Sequence, residues 1–117
     1  MTEEELKQRC KKMALRAIQV VSSLPKNNVG DSIGKQLVRS ATSVAANYRS
    51  ACKARSKADF LSKLGIVEEE ADETQLWLEL IIESRMIKST RIEGLLNEVR
   101  QLTAIMAASR ITARKNL

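Results

Sequence analysis

The sequence predicts an all-α protein, an antiparallel up-down-up-down four-helix bundle. Three observations predict it. Apolar residues recur at three- and four-residue steps in four segments, and strict alternation is nowhere sustained. Hydroxyl residues stand ahead of three of these segments at the spacing of a capping box, in which the hydroxyl caps the N3 amide and a carboxylate reaches back. The later connections are only a few residues long, which forces neighbouring helices to run antiparallel.

The first helix is expected over 3–22, with Thr2 and Glu5 marking its start and Leu6, Cys10, Met13, Ala17, Val20 and Val21 forming its apolar stripe. Pro25 cannot continue a helix, and Asn27, Asn28 and Gly30 supply turn chemistry, so Ser22 to Asp31 reads as the longest loop. The second helix, over 32–54, carries Ile33, Leu37, Ala41, Val44, Tyr48, Ala51 and Cys52. A turn around Arg55 and Ser56 follows, and Ser56 with Asp59 opens the third helix over 57–87, about 45 Å long at 1.5 Å per residue. Its stripe is Phe60, Leu64, Val67, Ala71, Thr74, Leu78 and Ile81. The last connection is about Lys88 to Thr90, and Thr90 with Glu93 opens the fourth helix over 91–114, striped by Ile92, Leu95, Leu96, Val99, Leu102, Ile105 and Met106. The four helices make one domain over residues 1–117.

The interior of the second helix is unusual. From Ser40 to Asn47 nearly every side chain is small, which lets a neighbouring backbone approach closely. Ser, Thr and Asn compete for backbone hydrogen bonds and are poor helix-interior residues, so their concentration calls for a compensating role. Arg39, Ser43 and Asn47 stand four apart and share one face, a polar seam that Gln36 and a third-helix carboxylate such as Glu73 would join. That seam reads either as a hydrogen-bond network between helices or as a polar ligand pocket.

Composition excludes much. With 44% hydrophobic and 29% charged residues the chain is not a disordered one, and with 3% aromatics its core must be aliphatic. No apolar run approaches a membrane span, and Met-Thr-Glu-Glu-Glu lacks the basic start of a signal peptide, so a cytoplasmic protein without membrane contact is expected. The absence of His removes Ser-His and Cys-His pairs, imidazole metal sites and the Glu-x-x-His ligands of di-iron bundles. Cys10 and Cys52 form no Cys-x-x-Cys and read as small hydrophobes. No Gly-rich phosphate loop, nucleophile elbow or metal-ligand spacing is present, so no enzyme, cofactor or metal is expected. The one foothold for chemistry is a carboxylate pair on the third helix, Glu69 with Glu73 or Glu70 with Glu73.

Charge points to partners. The net charge is +6, and residues 1–57 hold twelve basic against four acidic side chains while residues 58–117 hold eight against ten. Arg49, Lys53, Arg55 and Lys57 cluster around the second turn and could place several cations along a phosphate backbone, with Arg110, Arg114 and Lys115 adding to them. Tyr48, Phe60 and Trp77 lie on or near apolar stripes, so binding of RNA or DNA should be sequence-tolerant and salt-sensitive rather than a readout of bases. A basic surface can equally be a solvated one, or dock the acidic third helix of the next subunit. Glu68, Glu69, Glu70, Asp72 and Glu73 are too dense for one helix face, and Ile66, Trp77, Leu80 and Ile82 widen the apolar face beyond one bundle core, which predicts self-association or a protein partner.

From Gln36 through Arg39-Ser40-Ala41-Thr42-Ser43-Val44-Ala45-Ala46-Asn47, and again at Ser56-Lys57-Ala58-Asp59-Phe60, the chain resembles the bacterial four-helix-bundle family encoded within 23S rRNA intervening sequences. Leu24-Pro25-Lys26 and Glu73 also match, and the resemblance covers nearly the whole chain. The chain departs from the common pattern at Asn47-Tyr48-Arg49-Ser50-Ala51 and at Glu69-Glu70. The resemblance implies a left-handed antiparallel bundle that assembles as a ring-like homo-pentamer, with no established enzymatic activity. A related branch, the accessory variability determinant of diversity-generating retroelements, implies binding of nucleic acid and of a reverse transcriptase.

Overall fold

A computed structural model describes residues 1–116. It contains α1 (Glu3–Ser22), α2 (Asn28–Ala51), α3 (Lys57–Glu83) and α4 (Ser89–Lys115). Each helix packs on its sequence neighbours and α4 closes back on α1, whereas the diagonal pairs make no close approach among the described residues. Side-chain pairs give the direction. Glu68, Gln75 and Glu79, rising along α3, meet Arg110, Thr103 and Arg100, falling along α4. Likewise Arg9 near the start of α1 reaches Glu98, and Ser23 just past its end meets Arg91 near the start of α4. The helices are therefore antiparallel neighbours in a rod of 47 × 22 × 20 Å.

The apolar stripes converge on one core. Leu6, Cys10, Met13 and Ala17 of α1, Leu37, Ala41, Val44, Tyr48 and Ala51 of α2, Leu64, Val67, Ala71, Leu78 and Ile81 of α3, and Ile92, Leu95, Leu96, Val99, Leu102 and Met106 of α4 are all buried. Ile33, Cys52, Phe60 and Ile105 pack at its margin, half-buried. The small side chains of α2 serve the same core. Ser40 and Thr74 are buried at the α2–α3 contact, with Thr74 Oγ1 2.8 Å from both Ser40 Oγ and the Glu70 carbonyl. The remaining polar groups of this stretch satisfy themselves within the helix: the Thr42 hydroxyl donates to the Val38 carbonyl and the Asn47 amide donates to the Ser43 carbonyl.

Two of the three expected caps form. The Glu5 N–H donates to Thr2 Oγ1 at 3.1 Å and the Asp59 N–H donates to Ser56 Oγ at 3.0 Å. The third does not: α4 starts at Ser89 behind Lys88, which offers no capping side chain, so Thr90 lies inside the first turn instead of capping it.

Helix ends differ from the expected 32–54, 57–87 and 91–114 for physical reasons. Asn27 is a cap rather than a loop residue, its Oδ1 accepting from the Gly30 N–H at 2.8 Å, so α2 starts at Asn28 and the first connection shrinks to Ser23–Asn27. Gly30 is needed there because a Cβ would fall 2.0 Å from the Pro25 carbonyl oxygen. Downstream of Ala51 the chain tightens, with Lys53 N–H donating to Ser50 O and Ala54 N–H to Ala51 O. At the end of α3, Arg85 takes a left-handed conformation, φ 62°, and two bonds close a Schellman motif, Met86 N–H to Ile81 O and Arg85 N–H to Ile82 O.

Candidate nucleic-acid interface

The outward face of α2 is a row of residues at alternating steps of four and three, Lys35, Arg39, Thr42, Ala46 and Arg49, and Lys53 follows it in the turn beyond the helix. It carries no carboxylate, and Lys35, Arg49 and Lys53 are exposed and form no ion pair among the described residues. From Lys35 to Arg49 this row runs about 21 Å at the helical rise. In its centre Thr42 and Ala46 are small enough to leave a groove of about 360 Å³ between α2 and α1, walled by Lys7 and Lys11 on one side and Arg49 on the other. Lys7 is also within 3.8 Å of Glu4.

At the end of the rod the row runs into the α2–α3 turn. Arg55 and Lys57 are exposed there, and Lys57 Nζ donates to the Asn116 carbonyl at 3.2 Å, which brings the turn beside Arg114 and Lys115 at the end of α4. Glu3, at the start of α1, lines a cleft with Arg55 and Lys57 and tempers this basic end. Of the seven cations expected to contact nucleic acid, the structure gathers Arg49, Lys53, Arg55, Lys57, Arg114 and Lys115 on one end of the bundle. Arg110 differs, because its guanidinium grips both oxygens of Glu68 and so belongs to the α3–α4 contact. Lys7, Lys11 and Lys35 complete the face. Sequence reading passed over Lys7 and Lys11 because only the packing of α1 on α2 brings them beside Arg49.

The polar seam resolves into two separate groups. Arg39 donates to Gln36 Oε1 at 3.2 Å, to Glu70 at 2.9 Å and to Glu73, and the hydrogen bonds to the two carboxylates, Glu73 first, raise its pKa above the ordinary arginine value. Its side chain remains 48% exposed, so the group is a surface clasp between α2 and α3. Ser43 and Asn47 bond only to each other and to their own helix. The carboxylate pairs are accounted for as well. Glu70 and Glu73 share Arg39 between them, and Glu69 turns outward. Among the described residues no group of three or more Cys, Asp or Glu is placed to hold a metal ion, and no helix is long and apolar enough to cross a membrane.

These features define an antiparallel helical bundle with one open cationic face. The chain belongs to the 23S rRNA-intervening sequence protein family, which matches residues 2–108. It is similar to a protein of unknown function from the S23 ribosomal protein family of Bacteroides thetaiotaomicron. The two share 32% identity and superpose with a TM-score of 0.84 over 90% of this chain and 97% of that one. No functionally curated protein matches it.

Proposed function

We propose that this chain is a non-catalytic homo-oligomer, a pentamer, that binds the phosphate backbone of RNA or DNA. The observation that carries the reading is the outward row of α2 and the turn after it, where Lys35, Arg49 and Lys53 form no ion pair among the described residues and continue into the basic end at Arg55, Lys57, Arg114 and Lys115. A row of cations on a rigid helix neutralises successive phosphates and releases their counterions, which makes affinity steeply salt-dependent without reading sequence. The half-buried or buried state of Tyr48, Phe60 and Trp77 removes stacking platforms and supports the same conclusion. The pentameric number rests on the family resemblance.

A mobility-shift titration of a mixed-sequence RNA and a DNA duplex at two salt concentrations tests the reading. Binding should weaken by at least about tenfold between 50 and 200 mM salt, and the triple variant Arg49→Glu, Lys53→Glu, Arg55→Glu should lose most of the affinity and flatten the salt slope by about two to three. A salt-independent constant, or unchanged binding by a folded triple variant, refutes it. The second reading is a structural adaptor that binds a protein such as a reverse transcriptase, favoured by the exposed acidic and apolar outward face of α3. An intact oligomer with no affinity for either nucleic acid at low salt would select that alternative.

A further inference from the structure

Two helix faces remain without a partner inside the bundle. On α1, Lys11, Leu15 and Ile18 follow one another outward, with Lys12 beside them. Leu15 and Ile18 are 52% and 45% exposed, and neither lysine forms an ion pair among the described residues. On α3, Ile66, Glu69, Leu76 and Leu80 face outward with Asp72 at their edge. Ile66, Leu76 and Leu80 are 41%, 45% and 38% exposed, and neither Glu69 nor Asp72 has a cation partner among the described residues. Because α1 and α3 are diagonal, the two faces lie on opposite sides of the rod.

We infer that the outward face of α1 in one copy docks on the outward face of α3 in a second copy, with Leu15 and Ile18 against Leu76 and Leu80 and with Lys11 and Lys12 against Glu69 and Asp72. The inference rests on the proposed homo-oligomer and names the surfaces that build it. Three things on the molecule fit these faces to each other. Their charges are opposite. From Lys11 on α1 and from Glu69 on α3 their order along the chain is the same, charge first and then two large apolar residues, so these stretches match when the helices run parallel. And α1 and α3 do run parallel within each bundle, so copies related by rotation about an axis near the rod present them parallel to each other.

The two faces are dissimilar, so the contact is head-to-tail and each copy uses both. It also has a direction of curvature. Lys11 shares the α1–α2 groove, and Ile66 and Leu80 flank Glu73, which reaches α2, so both faces lean toward α2. Successive copies then turn toward the same side, which favours a closed ring with the basic row of α2 on its inner wall.

Cysteine cross-linking in a Cys52→Ser background, alongside light scattering of the parent chain, tests the inference. Leu15→Cys and Leu76→Cys, mixed in equal amounts and oxidised, should form an intermolecular disulfide that neither forms alone. A charge pair adds a second readout. Lys11→Glu with Lys12→Glu should weaken assembly at least tenfold at unchanged helicity, and adding Glu69→Lys with Asp72→Lys should restore it. Cross-linking of either cysteine variant with itself, or an oligomer indifferent to both charge changes, overturns this interface while leaving the oligomer standing. A parent chain that is monomeric across the micromolar range overturns both.

Discussion

At the scale of single residues, the fold depends on a few buried polar atoms. Ser40 and Thr74 each keep a carbonyl of their own helix as an alternative acceptor, Leu37 for Ser40 and Glu70 for Thr74, so removing one hydroxyl strands neither side chain. Ser40→Ala should therefore cost only about 1 kcal/mol, the net worth of one internal hydrogen bond, and a double-mutant cycle with Thr74→Val in urea should recover a coupling of similar size. Two further buried groups make stability depend on pH. Burial pushes the Cys10 thiol from the ordinary 9.0 up to about 12, and burial together with the hydrogen bond to Cys52 pushes Tyr48 up as well. The unfolded chain releases these protons near their ordinary values while the folded chain keeps them. Stability is thus fully present below about pH 9 and falls as pH rises toward 12. By urea titration the loss between pH 9 and 10.5 should reach about 2 kcal/mol from Cys10 alone, and Cys10→Val should flatten the decline.

Single helices and their ends show what the sequence made legible. The stripes were readable in order because a 3.6-residue period has one interpretation when it recurs four times, and nearly every stripe residue is in the core or at its margin. The ends were harder. Asn27 and Gly30 look like turn residues by composition, yet one caps a helix and the other sits in its first turn, a distinction set by Pro25 packing against α2. Gly30→Ala must displace that backbone and should cost about 1–3 kcal/mol in a thermal melt. The opposite case is Arg85, a side chain bearing the strain of a left-handed cap. Arg85→Gly should stabilise the protein by about 1 kcal/mol, raising Tm by about 3–5 °C, because the αL cost exceeds the extra freedom glycine gains in the unfolded chain. Four-residue spacing reports a shared face and not a shared partner, so of the polar seam the structure joins Gln36, Arg39 and Glu73 across helices and leaves Ser43 and Asn47 to each other. Arg39 lies close enough to α3 to clasp it, and Asn47 turns back on Ser43.

For the whole molecule, the four seams are unequal. α2 and α3 meet along most of their length, whereas α1 approaches α4 only sparsely, chiefly where Arg9 bonds Glu98 and Gln101. Native-state hydrogen exchange should accordingly find the amides of α1 opening at lower free energy than those of α3, and Glu98→Ala should widen the gap. The basic face was legible in part. A run of cations without acids shows in the sequence, but its extension across α1 and its loss of Arg110 to Glu68 are properties of packing. One tryptophan occupies a useful place in this architecture. Trp77 is half-buried, with its indole N–H enclosed and lacking a hydrogen-bond partner, and its chain neighbour Leu76 lies on the outward face of α3. The chain therefore carries an intrinsic fluorophore beside the surface where a second copy would settle. Diluting the protein through its association range should shift that emission toward longer wavelengths, giving a label-free optical reading of the monomer fraction.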